Sequence, residues 1–159
     1  MRLKTYEELT KRSRFWLGFL FGVYIVVVLR ITVFRSTLDL SKPLMSGTVV
    51  LTLFRGYLEL LRDRQWFSFV YLFGGNICWF VPYGMYLQYT GRTKRLWQTA
   101  LLGLSFSLFI EVGQYVFGTG FSELDDLVLN TLGVWLGAAV VKITFRLLSE
   151  KNFSPKNKI

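Results

Sequence analysis

The sequence predicts an all-α membrane protein: a bundle of four transmembrane helices with an extra amphipathic or re-entrant helix in the first outer loop. Three observations predict it. Of 159 residues, 52% are hydrophobic, and fifteen Phe, eight Tyr and five Trp exceed what a modest soluble core takes up but suit helices that meet lipid and its interfaces. Four apolar runs each come near the roughly 20 residues a helix needs to cross the hydrocarbon core. Nearly all of the 19 Lys and Arg fall between or outside those runs.

Taken in order, residues 1–14 are a basic tail carrying Arg2, Lys4, Lys11, Arg12 and Arg14. The run "FWLGFLFGVYIVVVLRITVF" (15–34) is too long for a signal peptide and lacks a small-residue cleavage site, so it reads as a retained span with Arg30 close to one end. In the first outer loop (35–65), Val50, Leu53, Phe54, Tyr57, Leu58 and Leu61 recur at helical spacing. The segment 44–61 is too short and too basic at its end to span, which makes it an amphipathic surface helix, a re-entrant segment or a helix packed on the end of the bundle.

The second run, "WFSFVYLFGGNICWFVPYGMYLQY" (66–89), is interrupted by Gly74, Gly75, Asn76 and Pro82. Paired glycines and a proline imply a bent or locally opened helix whose freed backbone groups need partners. The third, "LWQTALLGLSFSLFIEVGQYVF", covers 96–117, and the fourth extends from near Leu124 to about Phe145. The membrane domain is thus 15–148, followed by a second basic tail at 149–159. Twelve basic residues lie in the N-terminal tail, the 90–95 loop and the C-terminal end, against Arg35, Lys42, Arg55, Arg62 and Arg64 in the first outer loop. The bias predicts a multi-pass membrane protein with both termini cytoplasmic. It also explains much of the +9 net charge without a nucleic-acid partner.

The stretch "IEVGQYVFGTGFSELDDLVLN" (110–130) places Glu111, Gln114, Glu123, Asp125, Asp126 and Asn130 close together in an apolar chain. Glu111 lies about two turns below the outer end of the third span, with Gln114 on the same face. An ionised Glu in hydrocarbon costs several kcal/mol unless it is paired, protonated or hydrated. It is either functional or paired with Arg30 or Arg35 as a lock between helices. Ser122 suits an N-cap, with Asp125 as the acidic partner of a capping box. Asp126, Asn130, Gly133 and Gly137 form a stripe at spacings of four, three and four, and the glycines let another helix approach. Asn76 is either the partner of an opened helix or part of a site. Together Arg30, Arg35, Asn76, Glu111, Gln114, Asp126 and Asn130 make an outward-facing candidate binding site.

The same residues carry a resemblance. "GNICWFVPYGMYL" (Asn76, Phe80, Pro82, Gly84), "SLFIEVGQYVFG" (Glu111, Gln114) and "LDDLVLNTLGVWLG" (Asp125, Asp126, Asn130, Gly133, Gly137) resemble, in order and spacing, segments of the VanZ-like family of small bacterial membrane proteins. Family members often carry an Arg in the loop before the paired Asp residues. Here that loop reads "GTGFSEL", so Arg30, Arg35 or an outer-loop Arg would have to neutralise the carboxylates. The resemblance implies lowered sensitivity to teicoplanin-type glycopeptides, which act on cell-wall precursors outside the membrane. It implies no established reaction.

Three functions compete. A binding or envelope-modulating protein would hold an anionic lipid, a polyprenyl-phosphate-linked precursor or a lipoglycopeptide tail at the outer leaflet, with Arg30, Arg35, Arg55, Arg62 and Arg64 on phosphate. A membrane enzyme acting on a lipid-linked substrate would use Glu111 and Asp126 as general acid and base, or hold a divalent ion with Glu111, Asp125 and Asp126. A proton-coupled carrier would require a homo-oligomer. No His is present, a lone cysteine (Cys78) builds no thiolate site, and no nucleophile stands beside a base. The expectation is the binding protein, with no cofactor and no metal.

Overall fold

The computed structural model describes residues 5–34 and 44–153. Arg35 and Lys42 lie outside the described residues, as do the two ends of the chain. A 3-10 turn, Tyr6–Glu8, leads into helix α1, Lys11–Thr32. The helix starts at Lys11 because Thr10 caps it, its hydroxyl accepting from the Ser13 amide at 3.2 Å.

The outer loop departs from the expectation of one amphipathic helix over 44–61. Helix α2 covers only Arg55–Arg62, and the part before it is extended, with strand β1 at Thr48–Val50. β1 pairs in parallel with strand β2, Phe121–Glu123, in the register Thr48 to Phe121 and Val50 to Glu123. Thr48, Val49 and Val50 are β-branched, a type that packs better on a pleated strand than in a helix. Of the anticipated apolar face only Tyr57 is buried, while Leu53 and Leu58 are exposed.

Residues 66–89 follow as α3 (Trp66–Phe69), a π-helical turn (Val70–Gly74) and α4 (Gly75–Tyr89). The junction residues Phe69, Val70, Gly74 and Gly75 all keep right-handed helical dihedrals, so the interruption expected at the glycine pair is a change of hydrogen-bond pattern within a continuing helix. Helix α5, Leu96–Phe117, ends at Gly118, whose φ of 60° supplies the left-handed turn that stops a helix. Helix α6 then runs Leu124–Phe153.

Among the described residues three helices are long and apolar enough to cross a membrane: α1, α5 and α6 over Leu124–Glu150. Of the four transmembrane helices expected, three reach membrane length; the run of residues 66–89 is divided into α3, a π-helical turn and α4, none of which reaches that length alone.

Helices α4 and α6 run side by side in the same direction, Gly133 against the Ile77 carbonyl and Gly137 against that of Val81. Gly84 lies on the Val134 carbonyl, and a Cβ at any of the three would collide with that backbone. Helix α1 packs antiparallel to α4: Phe21 stacks on Tyr86 at 3.6 Å, and the Tyr24 hydroxyl donates to the Trp79 carbonyl at 2.6 Å. Val28, Val33, Phe80, Ile110 and Val134 form the buried core. Tyr89 touches both Tyr6 and Phe145, so the N-terminal turn, the 90–95 loop and the far end of α6 gather at one end of the bundle. The β1–β2 ladder and α2 lie at the other.

Candidate functional site

The polar stretch of the sequence lies where α5, β2 and α6 meet. Gly118 reverses the chain after α5, which brings β2 back alongside the last turns of that helix. Glu111 is 3% exposed, and its Oε2 accepts from the Glu123 amide at 2.8 Å. The Ser122 hydroxyl donates to the Glu111 carbonyl at 3.1 Å. Gln114 has two available partner sets: in one orientation its amide nitrogen donates to the Thr32 carbonyl at 3.3 Å, in the other to Glu111 Oε2 and the Phe121 carbonyl, each at 3.1 Å. The second satisfies two acceptors, one of them the buried Glu111 carboxylate, and so is favoured. Glu111 Oε1 is buried without a hydrogen-bond partner among the described residues.

The expected N-cap role of Ser122 does not hold, because α6 begins at Leu124 and the Ser122 side chain is on Glu111. Asp125, 5% exposed, reaches across to the segment before α2, where its Oδ1 accepts from the Phe54 amide at 2.7 Å. Phe54 sits at φ 55°, a left-handed conformation uncommon for a side chain of that size, and Asp125 fixes it at the start of α2. Asp126 is held from α4: Asn76 Nδ2 donates to its Oδ1 at 2.5 Å and to the Tyr57 hydroxyl at 3.1 Å. Burial, and then the nearby Asp126 carboxylate, push the Tyr57 phenol above its usual pKa and keep its proton on. Since Asn76 uses the Tyr57 oxygen as acceptor, that O–H remains a donor.

Below this layer Asn130, 3% exposed, donates to Ser107 Oγ at 2.9 Å, and Ser107 donates to the Asp126 carbonyl at 3.4 Å. Ser107 and Tyr57 were not anticipated as part of the cluster. Ser107 had a signal, standing one helical turn before Glu111 on the face of Gly103 and Gln114, all buried. Tyr57 had none beyond its place in an apolar pattern.

A cleft of about 450 Å³ opens over the cluster, with Tyr57, Asn76, Gln114, Glu123, Asp125 and Asp126 as its polar wall and Leu60 and Leu72 among its apolar residues. Of the anticipated site, Asn76, Gln114 and Asp126 meet in this cleft, Glu111 lies behind Gln114, and Asn130 lies deeper. Arg30 stands apart: it is exposed and its guanidinium donates to the Phe34 carbonyl, so it does not pair with Glu111. Arg35 lies outside the described residues. Arg55 pairs with Glu59 at 3.0 Å, and Arg62 lies 3.8 Å from Asp63, both on an exposed surface. Among the described residues no three of the carboxylates converge as metal ligands. Pro82 lies within α4, away from this cleft.

The sequence profile of the VanZ/LLP1 family matches residues 21–146, most of the chain and all of the cluster. No curated protein and no solved structure matches.

Proposed function

The chain belongs to the VanZ/LLP1 family, and on that premise we propose that it is a four-span protein of the bacterial cytoplasmic membrane, with both termini inside. Its outer cleft holds the polar head of a lipid-linked cell-wall precursor or of a teicoplanin-type lipoglycopeptide, and this occupancy lowers sensitivity to such glycopeptides. The fourth span is the run of residues 66–89. The observation that carries the reading is convergence: α4 contributes Asn76, α5 Gln114, α6 Asp126 and the outer segment Tyr57 to one cleft. Four separate elements bring amide, carboxylate and phenol groups together, a donor and acceptor set suited to sugar hydroxyls and peptide amides.

Glu111 serves the cleft from behind. Its Oε2 orients the Gln114 amide and anchors the amide of Glu123, which itself lines the cleft.

The test is native mass spectrometry of protein extracted gently from its own membrane, for the wild type and for Tyr57→Phe and Glu111→Gln. A co-purifying precursor or headgroup-bearing lipid retained by wild type and depleted at least several-fold in both variants is expected. Equal retention in all three would overturn the reading. Susceptibility of a teicoplanin-sensitive host expressing each variant should follow the same order.

A further inference from the structure

A second cavity lies at the opposite end of the molecule and is not used by the reading above. It is a groove of about 370 Å³ between α1 and α4, closed on one side by Val141 of α6. Its lining is apolar and aromatic: Leu17, Leu20 and Phe21 on one wall and Pro82, Met85 and Tyr86 on the other, with Tyr89 at the end nearest the N-terminal turn. The gap follows from loose packing of α1. Val28 is the one buried residue of that helix, and a Cβ added at Gly18 or Gly22 would meet nothing within 4 Å.

Two arginines stand beyond the groove's lining at its Tyr86 and Tyr89 end, one over a lining ring and one over a ring packed against it. The Arg92 guanidinium lies over the Tyr86 ring at 5.5 Å. Arg14 lies over the Tyr6 ring at 5.1 Å, and Tyr6 packs edge-on against Tyr89 at 6.3 Å. Arg14 also donates from Nε to the Leu9 carbonyl at 3.2 Å and from a terminal nitrogen to the Glu7 carbonyl, which holds it in place. Among the described residues neither arginine pairs with a carboxylate. Guanidinium groups fixed over aromatic rings keep donors available for a phosphate.

We infer that this groove binds an anionic phospholipid, one acyl chain lying between α1 and α4 and its phosphate held by Arg14 and Arg92. Basic pockets between membrane helices are established sites for anionic headgroups. A zwitterionic lipid would fit the apolar part equally well, but its own cation would oppose the two arginines. The charge at the mouth therefore selects the occupant.

Purified protein would be equilibrated with mixed vesicles of phosphatidylglycerol and phosphatidylcholine, and retained lipid counted by native mass spectrometry. Wild type is expected to favour phosphatidylglycerol by about tenfold. Arg14→Gln combined with Arg92→Gln should bring the ratio to parity. Arg92→Gln alone, which leaves the Arg14 contacts to the N-terminal turn intact, should lower it by about threefold. Arg14→Lys with Arg92→Lys keeps the charge and should keep most of the preference. Leu20→Trp, which fills the groove from an exposed position on α1, should reduce retention of both lipids. Absence of a preference in wild type, an unchanged preference in the double Gln variant, or a lipid-free dimer that Leu20→Trp dissociates would each overturn the proposal. Because the outer cleft is untouched by these variants, a failure here leaves Tyr57→Phe and Glu111→Gln as a separate test of that site.

Discussion

At the scale of single residues, the cluster divides into side chains that hold the fold and side chains that face the cleft. Asp125 belongs to the first kind. Asp125→Ala strands the Phe54 amide and should destabilise the protein by about 1–3 kcal/mol, while Asp125→Asn, which keeps an acceptor oxygen, should recover most of that. Thermal unfolding in detergent would separate the two, and equal losses would show that charge, not the bond to Phe54, is what matters. Glu111→Gln keeps an acceptor for the Glu123 amide and should insert and fold normally, unlike Glu111→Ala, which leaves that amide without its partner at a similar cost of about 1–3 kcal/mol. The residues of the cluster were largely legible because ionisable and amide groups are conspicuous in an apolar chain. What could not be read was who holds whom. Asp125 looked like a local cap, yet its partner is 71 residues away, at the start of α2. Arg30 looked like a partner for Glu111, yet it turns to a carbonyl one helical turn along.

At the scale of elements, the contact between α4 and α6 carries the sharpest consequences. Gly84, Gly133 and Gly137 each stand against backbone of the facing helix, which cannot move aside as a side chain could. Gly137→Val should therefore destabilise by at least the roughly 1–3 kcal/mol of an overpacked core, whereas Gly22→Val on α1 meets open space and should leave the melting temperature nearly unchanged. A comparable loss at both positions would mean that α1 packs more closely than described. The helix boundaries at 66–89 and 96–117 were readable from sequence because Gln65, Thr90 and Arg95 mark where the apolar pattern starts and stops. The short parallel ladder was not. Each strand is three residues long, and neither has a partner nearby in sequence to announce it, so the pairing exists only once α5 has delivered β2 to the same end as β1.

At the scale of the whole molecule, the two ends differ in kind. One gathers the N-terminal turn, the 90–95 loop and the end of α6 around Tyr89; the other carries the cleft. Single cysteines in a Cys78→Ser background test the proposed crossings directly. Arg62→Cys should react with an impermeant maleimide on intact cells, and Lys94→Cys only after permeabilisation. Labelling of both from the same side would remove residues 66–89 from the set of spans. The β1–β2 ladder bears on a different matter, the order in which the protein is made. The outer segment is synthesised long before β2 and Asp125, the groups that fasten it. At about 5–20 residues per second, it is complete several seconds before the groups that fasten it are made. A chain stalled after Tyr89 should be cleaved by protease within 48–54 more readily than the completed chain, in which β2 and Asp125 hold that stretch. The cleft therefore comes into being late, only after α5 is complete and α6 has begun.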